Sequence, residues 1–330
     1  MDVFRLTREL IDIPSVTGDE FQIGTSLGEL LVRYGYRVEL QDVADERSNI
    51  IATTGARPRV VLSTHMDTVP PFIASSEDDD FIYGRGSCDA KGIIAAQIAA
   101  AEQLRAQGLN EIGLLFTVDE EVASAGAKIA NDHPLAASCE YLINGEPTDN
   151  QLATGTKGSI QTIIRTEGRA AHSAYPEYGE SAIEKLLDVL NDLRNIEWPD
   201  DGVFGETTCN IGVLSGGVRA NVIPSEAQAT LHIRLAKESS AVKELLEQSI
   251  DGRAIIDYKS VHDPVRLFTT GGFDQMLARF TTDIPYLSNW GRALLIGPGS
   301  ILDAHTDGEK IRKSDLTKAV ELYVELVKAL

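Results

Sequence analysis

The sequence predicts an α/β protein of two domains, one inserted into the other, on three observations. The chain has 330 residues, and at roughly 150 residues per domain two are expected. Helical and strand-like segments alternate through residues 1–155 and again through 265–330, as they do where helices cover a largely buried sheet. Between 156 and 264 the strand segments change to a period of two, the pattern of a sheet with one open face. The expected organisation is a discontinuous domain, 1–155 with 265–330, and an inserted domain, 156–264.

Residues 3–12 and 21–34 place apolar residues at helical spacing, and Ser15-Val16-Thr17-Gly18-Asp19-Glu20 before the second is rich in capping residues. Strands are expected over Arg37–Leu40, Asn49–Thr53, Arg59–Ser63, Ile112–Thr117 and Tyr141–Asn144. The runs 59–63 and 113–117 are almost continuously apolar, as strands covered on both faces are. Gly92–Gln107 opens with an alanine-rich stretch and reads as a buried helix, and Ala123–Asn131 as a second one between strands. In the insert, Ser159–Thr166, Thr207–Leu214, Ala227–Leu235 and Arg253–Val261 read as strands, with helices over Glu180–Arg194 and Lys237–Ser249. Two helices on a four-stranded sheet make a common small α+β unit of ferredoxin-like kind. The chain closes with a helix near 273–280, a strand Ala293–Ile296 and a helix Lys313–Ala329.

Composition excludes several classes of function. Hydrophobic residues make up 43% of the chain, enough for full cores and too many for disorder. No apolar run reaches the 18 or so residues of a membrane span. Thirty basic against 50 acidic residues give a formal charge of −20 with no basic patch, which argues against nucleic-acid binding. Cys88, Cys139 and Cys209 are odd in number and widely spaced, so a reduced compartment and no disulfide scaffold are expected. The N-terminal residues lack the apolar core of a signal peptide, and a cytoplasmic location is the expectation. The run Glu77-Asp78-Asp79-Asp80 reads as a solvated hairpin tip, since it lacks the alternating ligands and glycine of a calcium loop.

The chemistry gathers at the C-terminal ends of expected strands, where open α/β sheets bind ligands. Ser63-Thr64-His65-Met66-Asp67 follows one strand; the two-residue spacing lets a carboxylate fix the tautomer of a metal-binding imidazole. Gly84-Arg85-Gly86-Ser87-Cys88-Asp89 runs into the alanine-rich helix. It lacks the third glycine of a dinucleotide loop, nothing nearby in sequence marks Cys88 as an activated nucleophile, and Asp89 is either a ligand or a helix cap. Asp119-Glu120-Glu121 abuts a buried strand, a costly place for three acids without a cation or water. Gly145-Glu146-Pro147-Thr148 and the loop 297–309 with His305 complete the set. Singly, each has an ordinary structural explanation. Together, His65, Asp89, Glu121, Glu146 and His305 supply two imidazoles and three carboxylates, a donor set for two divalent ions that share a carboxylate.

In this order, His65-Met66-Asp67, Gly84–Gly92, Asp119-Glu120-Glu121, Gly145-Glu146-Pro147-Thr148 and Ala304-His305-Thr306-Asp307-Gly308-Glu309 resemble the motifs of the M20 metallopeptidase family. That family includes acetylornithine deacetylase, succinyl-diaminopimelate desuccinylase, aminoacylase and glutamate carboxypeptidase, and the resemblance spans essentially the whole chain. It implies a zinc-exopeptidase-like catalytic domain, with mixed sheet and flanking helices, carrying an inserted lid and dimerisation domain. It further implies that His65 and Glu146 hold one ion, Glu121 and His305 the other, and that Asp89 bridges them. Zinc is the first expectation, cobalt or manganese the alternatives. By the same resemblance Asp67 orients His65, and Glu120 is the general base that serves the attacking water. In Gly168–Ala174, His172 resembles the residue that stabilises an oxyanion in a partner subunit, which implies a homodimer. Asn221 and Arg234 resemble the residues that grip a substrate carboxylate, and Gly299 lies in the loop that lines the pocket. Independently of the resemblance, Thr230, His232 and Arg234 share one face of a strand and Leu231, Ile233 and Leu235 the other.

Substrate choice is less defined. Glu146, where peptidase branches tend to use aspartate, and Gly155-Thr156-Lys157-Gly158-Ser159 resemble the N-acyl-amino-acid deacylases. The expectation is therefore an acetylornithine deacetylase-like amidohydrolase acting on a small N-acyl amino acid. N-succinyl-diaminopimelate desuccinylase and a dipeptidase or carboxypeptidase are the alternatives, and a silent carboxylate-binding homologue is disfavoured because all five ligands and the base are present. Two departures from the family stand out: the chain is short, and Cys88 sits beside Asp89 where Ala or Val is expected. His133 and His262 read as surface or loop residues.

Overall fold

The computed structural model describes residues 1–54 and 57–330. From the N-terminus come α1 (Val3–Ile11), α2 (Phe21–Arg33), β1 (Arg37–Ala44), β2 (Arg47–Thr53), β3 (Val60–His65), β4 (Ser76–Glu77), β5 (Phe81–Tyr83), α3 (Lys91–Ala106), β6 (Ile112–Thr117), α4 (Ala125–Ala130) and β7 (Tyr141–Asn144). Next are β8 (Leu152–Thr156), β9 (Gly158–Glu167), α5 (Ala182–Arg194), β10 (Asp200–Asp201), β11 (Gly205–Glu206), β12 (Thr208–Gly216), β13 (Glu226–Leu235), α6 (Ser239–Ile250), β14 (Ile255–His262) and β15 (Val265–Arg266). The chain ends with β16 (Gln275–Ala278), β17 (Arg292–Leu295), β18 (Lys310–Arg312) and α7 (Lys313–Ala329). It divides into two compact units. The first is Met1–Thr154, Leu267–Met276 and Thr282–Leu330; the second is Gly155–Arg266 with Leu277–Thr281.

The first unit is built on a six-stranded sheet in the order β1-β2-β6-β3-β7-β17. β3, β6, β7 and β17 run parallel, and β1 and β2 are added antiparallel at one side. Every residue of β3 and β6 is buried, which explains their unbroken apolar runs. Parallel strands bring their C-terminal ends to one edge, so the segments after His65, Thr117, Asn144 and Leu295 emerge side by side. Helix α3 packs against α1, α7 and β3. It is buried from Lys91 to Ala101, and its alanines and Gly92 allow that close approach: a Cβ on Gly92 would lie 2.2 Å from the Ser87 carbonyl oxygen. Cys139, Leu142, Leu287 and Trp290 form part of a separate apolar cluster in this unit. The acidic run is an exposed turn between β4 and β5, where Asp78 accepts from the amides of Asp80 and Phe81.

The second unit holds an antiparallel sheet in the order β12-β13-β9-β14. One face is apolar: Ile160, Ile164, Leu231 and Ile233 pack with Leu186, Val189 and Leu190 of α5 and Val242 and Leu246 of α6. Along β13, burial alternates residue by residue, with Leu231, Ile233 and Leu235 inside and Thr230, His232 and Arg234 half-buried on the other face.

One expectation is corrected, and two open alternatives are narrowed. The segment near 273–280 is not a helix. Its residues 275–278 form strand β16, beside β8 in a sheet of order β15-β8-β16, because its backbone groups are taken by β8: Asp274 and Met276 carbonyls accept from Leu152 N and Thr154 Oγ1. Pairing with a distant strand overrides the helix-forming side chains. His133, read as a surface or loop residue, lies in a loop but not at the surface. It is 8% exposed, its ring stacks on Trp290 with centroids 6.2 Å apart, and Nε2 lies 3.2 Å from Glu39. Asp89 does not cap α3, whose N-cap is Ala90.

Candidate metal centre

The loops that leave the parallel edge bring four of the five expected ligands into contact. His65 ends β3, and its Nε2 lies 3.0 Å from Asp89 Oδ1. His305 approaches the other oxygen, with Nε2 3.3 Å from Asp89 Oδ2 and 3.0 Å from Glu121 Oε1. Asp89 thus faces one imbidazole with each oxygen, the arrangement a bridging carboxylate needs. His65, Asp89 and Glu121 each offer a donor atom within 4.8 Å of the others. Glu146 is buried after β7 and is the fifth; its Oε1 has no hydrogen-bond partner among the described residues. His305 has φ +63° and Asp119, at the start of the turn with Glu120 and Glu121, has φ +70°. Such left-handed non-glycine residues gather at functional sites, where the surroundings hold the strain.

Asp67 acts in two ways. His65 Nδ1 lies 3.0 Å from the Asp67 carbonyl oxygen and 3.5 Å from its Oδ1. The Asp67 carboxylate also accepts from Glu120 N at 3.1 Å, Glu121 N at 3.2 Å and Thr17 Oγ1 at 2.8 Å. One buried residue therefore contacts the first imidazole, chiefly through its carbonyl oxygen, and through its carboxylate holds the turn that carries Glu120 and Glu121.

The electrostatics test whether a cation fits. Burial, joined by the charge of Glu146, pushes the Glu120 carboxyl well above the ordinary carboxylate range. Burial also raises Glu146 and Glu121, each with further repulsion from Asp89. Burial alone would lower His65, but hydrogen bonds to Asp67 and Asp89 outweigh it and hold the imidazole well above its usual value. His305 is pushed up to about 10 by its hydrogen bonds to Asp89 and Glu121. So many acids at one buried spot are stabilised only by protons or by a positive ion. An all-nitrogen-and-oxygen donor set with an unpartnered carboxylate oxygen fits a divalent cation of the zinc, cobalt or manganese kind.

Three residues that sequence reading did not single out complete the surroundings. Arg47 pairs with Glu20 at 2.6 Å and with Asp119 at 2.8 Å. Buried Asp283 accepts from Thr117 Oγ1 at 2.8 Å, beneath the turn that carries Glu120, and burial pushes its carboxyl up to about 6. Glu309 pairs with Arg85 at 2.6 Å. Cys88 is fully buried and burial pushes its thiol up, which removes it as a nucleophile. Gly299 has φ +85°, and a Cβ there would lie 2.7 Å from Cys88 Cβ, so the small residues at both positions fit together.

His172, Asn221 and Arg234 belong to the second unit. His172 is exposed, accepts from Ala174 N through Nδ1 at 3.1 Å and meets Tyr175 edge-on. Asn221 is exposed. Arg234 is half-buried, its Nη1 has no partner among the described residues, and burial lowers its pKa. Its cross-strand neighbours are Thr208 on β12 and Ser159 on β9, neither of which can neutralise it.

The sequence model described as peptidase family M20/M25/M40 matches residues 61–329. The chain belongs to this family. As an M20 protein it is a metal-dependent hydrolase of amide bonds. It is 37% identical to a peptidase M20 domain-containing protein of Schizosaccharomyces pombe, over 99% of this chain and 84% of that one. It is 35% identical to a probable carboxypeptidase of Aspergillus clavatus, over 97% and 86%. A tripeptidase of Staphylococcus aureus shares the fold with TM-score 0.83 at 20% identity, covering 99% of this chain and 97% of that one. An M20 family metallo-carboxypeptidase of Sulfolobus solfataricus does so with TM-score 0.79 at 17% identity, covering 100% and 99%. Among the described residues no helix is long and apolar enough to cross a membrane.

Proposed function

We propose that this M20 hydrolase cleaves an amide bond next to a free α-carboxylate, with small peptides cut at their C-terminal end as the first substrate class. The observation that carries the reading is the cluster of buried His65 and Asp89 with half-buried Glu121 and exposed His305, with buried Glu146 beside it and Glu120 left outside the ligand set. His65 and Glu146 would hold one ion, Glu121 and His305 a second, and Asp89 would join them, with zinc, cobalt or manganese bound. Bound there, such ions polarise a carbonyl and make water acidic. Glu120 takes the proton of the attacking water on its carboxylate and delivers it to the departing amine nitrogen. Asp67 keeps the Glu120 amide in place through its hydrogen bond. His172 is assigned to the developing oxyanion of a second copy's substrate, which makes the working form a dimer in a cytoplasmic setting.

Arg234 supports the free-carboxylate requirement. A half-buried guanidinium whose Nη1 has no partner among the described residues suits the fork of a carboxylate, and Asn221 is assigned to the same substrate group in this reading. Relatives named probable carboxypeptidases favour peptides. The acetylornithine deacetylase-like reading, the first expectation from the sequence, is placed second here; Glu146 favours it, and an N-acyl amino acid offers the same amide and carboxylate. Paired peptides with free and amidated C-termini, run beside N-acetyl amino acids, test the proposal. Amidation is expected to lower kcat/KM by at least about 10- to 150-fold, the equivalent of ~1.5–3 kcal/mol for a hydrogen bond to a charged group. Equal cleavage of both forms would contradict the carboxylate requirement, and turnover of N-acetyl amino acids alone would move the second reading to the front.

A further inference from the structure

We propose that Glu309, which is no ligand, is the positioning residue of the metal centre, and that with Arg85 it pre-sets the distance between Asp89 and His305. Glu309 is 1% exposed and Arg85 2% exposed. Glu309 Oε1 accepts three backbone amides of one turn: Gly86 N at 2.9 Å, Cys88 N at 3.2 Å and Asp89 N at 3.2 Å. Its Oε2 takes Arg85 Nη1 at 2.6 Å, and that same nitrogen reaches the Thr306 carbonyl oxygen at 3.1 Å. The Gly84 amide closes the arrangement by donating to the Glu309 carbonyl oxygen at 3.0 Å.

These bonds join two segments that are distant in sequence and adjacent at the centre. One carries Asp89; the other carries His305, four residues before Glu309. Neither segment is a regular helix or strand where its ligand sits, so no ladder of backbone bonds fixes either ligand. The buried carboxylate does that work for Asp89 through the amide of Asp89 itself, and Arg85 extends it to the His305 segment through Thr306. Lys310–Arg312 of β18 then pairs with β5 and anchors the far end. Groups that orient ligands without touching the ion set its affinity, and their loss weakens it about 10–100-fold.

The proposal rests on the metal reading above, and its test separates the two. Chelator-stripped wild type and Glu309→Gln are titrated with Zn²⁺ against a chromogenic chelator, at a temperature where circular dichroism shows both folded. Amide hydrogen exchange at Cys88 and Asp89 is followed in the ion-free proteins. Expected is a ~10–100-fold weaker affinity for Glu309→Gln, faster exchange at those amides, and a substrate KM unchanged once ion is saturating. Arg85→Lys keeps the charge and loses the guanidinium whose Nη1 meets both Glu309 and Thr306 while Nε donates to the Pro71 carbonyl oxygen, and a smaller loss in the same direction is expected. It also serves if Glu309→Gln does not fold. Wild-type affinity in the folded variants, whatever their melting temperature, would overturn the proposal and leave the metal reading standing. A wild type that takes up no ion would overturn both.

Discussion

Glu120→Gln is expected to lower kcat by about 10²–10⁴-fold, the range that a positioned acid–base group supplies. KM and ion content are expected to stay near wild type. Gln keeps the shape of the side chain, and its backbone amide still donates to Asp67. What it loses is the ability to take the water's proton and return it to the leaving nitrogen. The surroundings are the reason the proposal gives the role to this carboxyl and not to its neighbour. Glu121 lies against His305 at 3.0 Å, whereas among the described residues Glu120 makes no hydrogen bond to an imidazole and is raised by burial and by Glu146. Steady-state kinetics with metal analysis checks the prediction; a variant that turns over like wild type would remove Glu120 from the mechanism.

The second large effect is on stability. Arg47→Met is expected to destabilise the first unit by about 3–5 kcal/mol, the cost of breaking a buried ion pair from one side. Arg47 bonds Glu20 through Nε at 2.6 Å and through Nη2 at 2.7 Å, and Nη2 also holds Asp119 at 2.8 Å. The Glu20 side chain is fully buried, so Met leaves its charge without a cation and with the Gly18 amide, at 3.0 Å, as its remaining partner among the described residues. Asp119 at the same time loses the contact that helps hold its left-handed backbone at the head of the Glu120–Glu121 turn. Denaturant unfolding at neutral pH, read on a probe in the first unit, measures the loss. An unchanged midpoint would show that Glu20 and Asp119 find other partners.

How far the sequence revealed this molecule follows from the range of each interaction. The strands β3 and β6 were legible because burial on both faces imposes apolar residues in an unbroken run. The alternation of β13 was legible for the same local reason. The centre was legible as residue types in order, since parallel strands collect their following loops at one edge, and the structure does bring His65, Asp89, Glu121 and His305 together. What was hidden depends on partners far along the chain. Asp119 looked like one of three acids facing a cation, yet it belongs to Arg47, 72 residues earlier. Glu309 lay in plain view beside His305, but its carboxylate serves amides about 220 residues away. Met276–Ala278 carried helix-forming side chains and became a strand because β8 supplied the pairing. His133 had no local signal for burial, which Trp290 provides from 157 residues downstream.

Metal dependence is the claim on which the rest stands, and one measurement tests it most directly. The protein is stripped with a chelator, shown to remain folded, and titrated with Zn²⁺, Co²⁺ or Mn²⁺ while hydrolysis of a small peptide with a free C-terminus is followed. The account predicts negligible turnover without ion, recovery on reloading, and a plateau at two ions per chain. Full hydrolysis by the ion-free protein would contradict it.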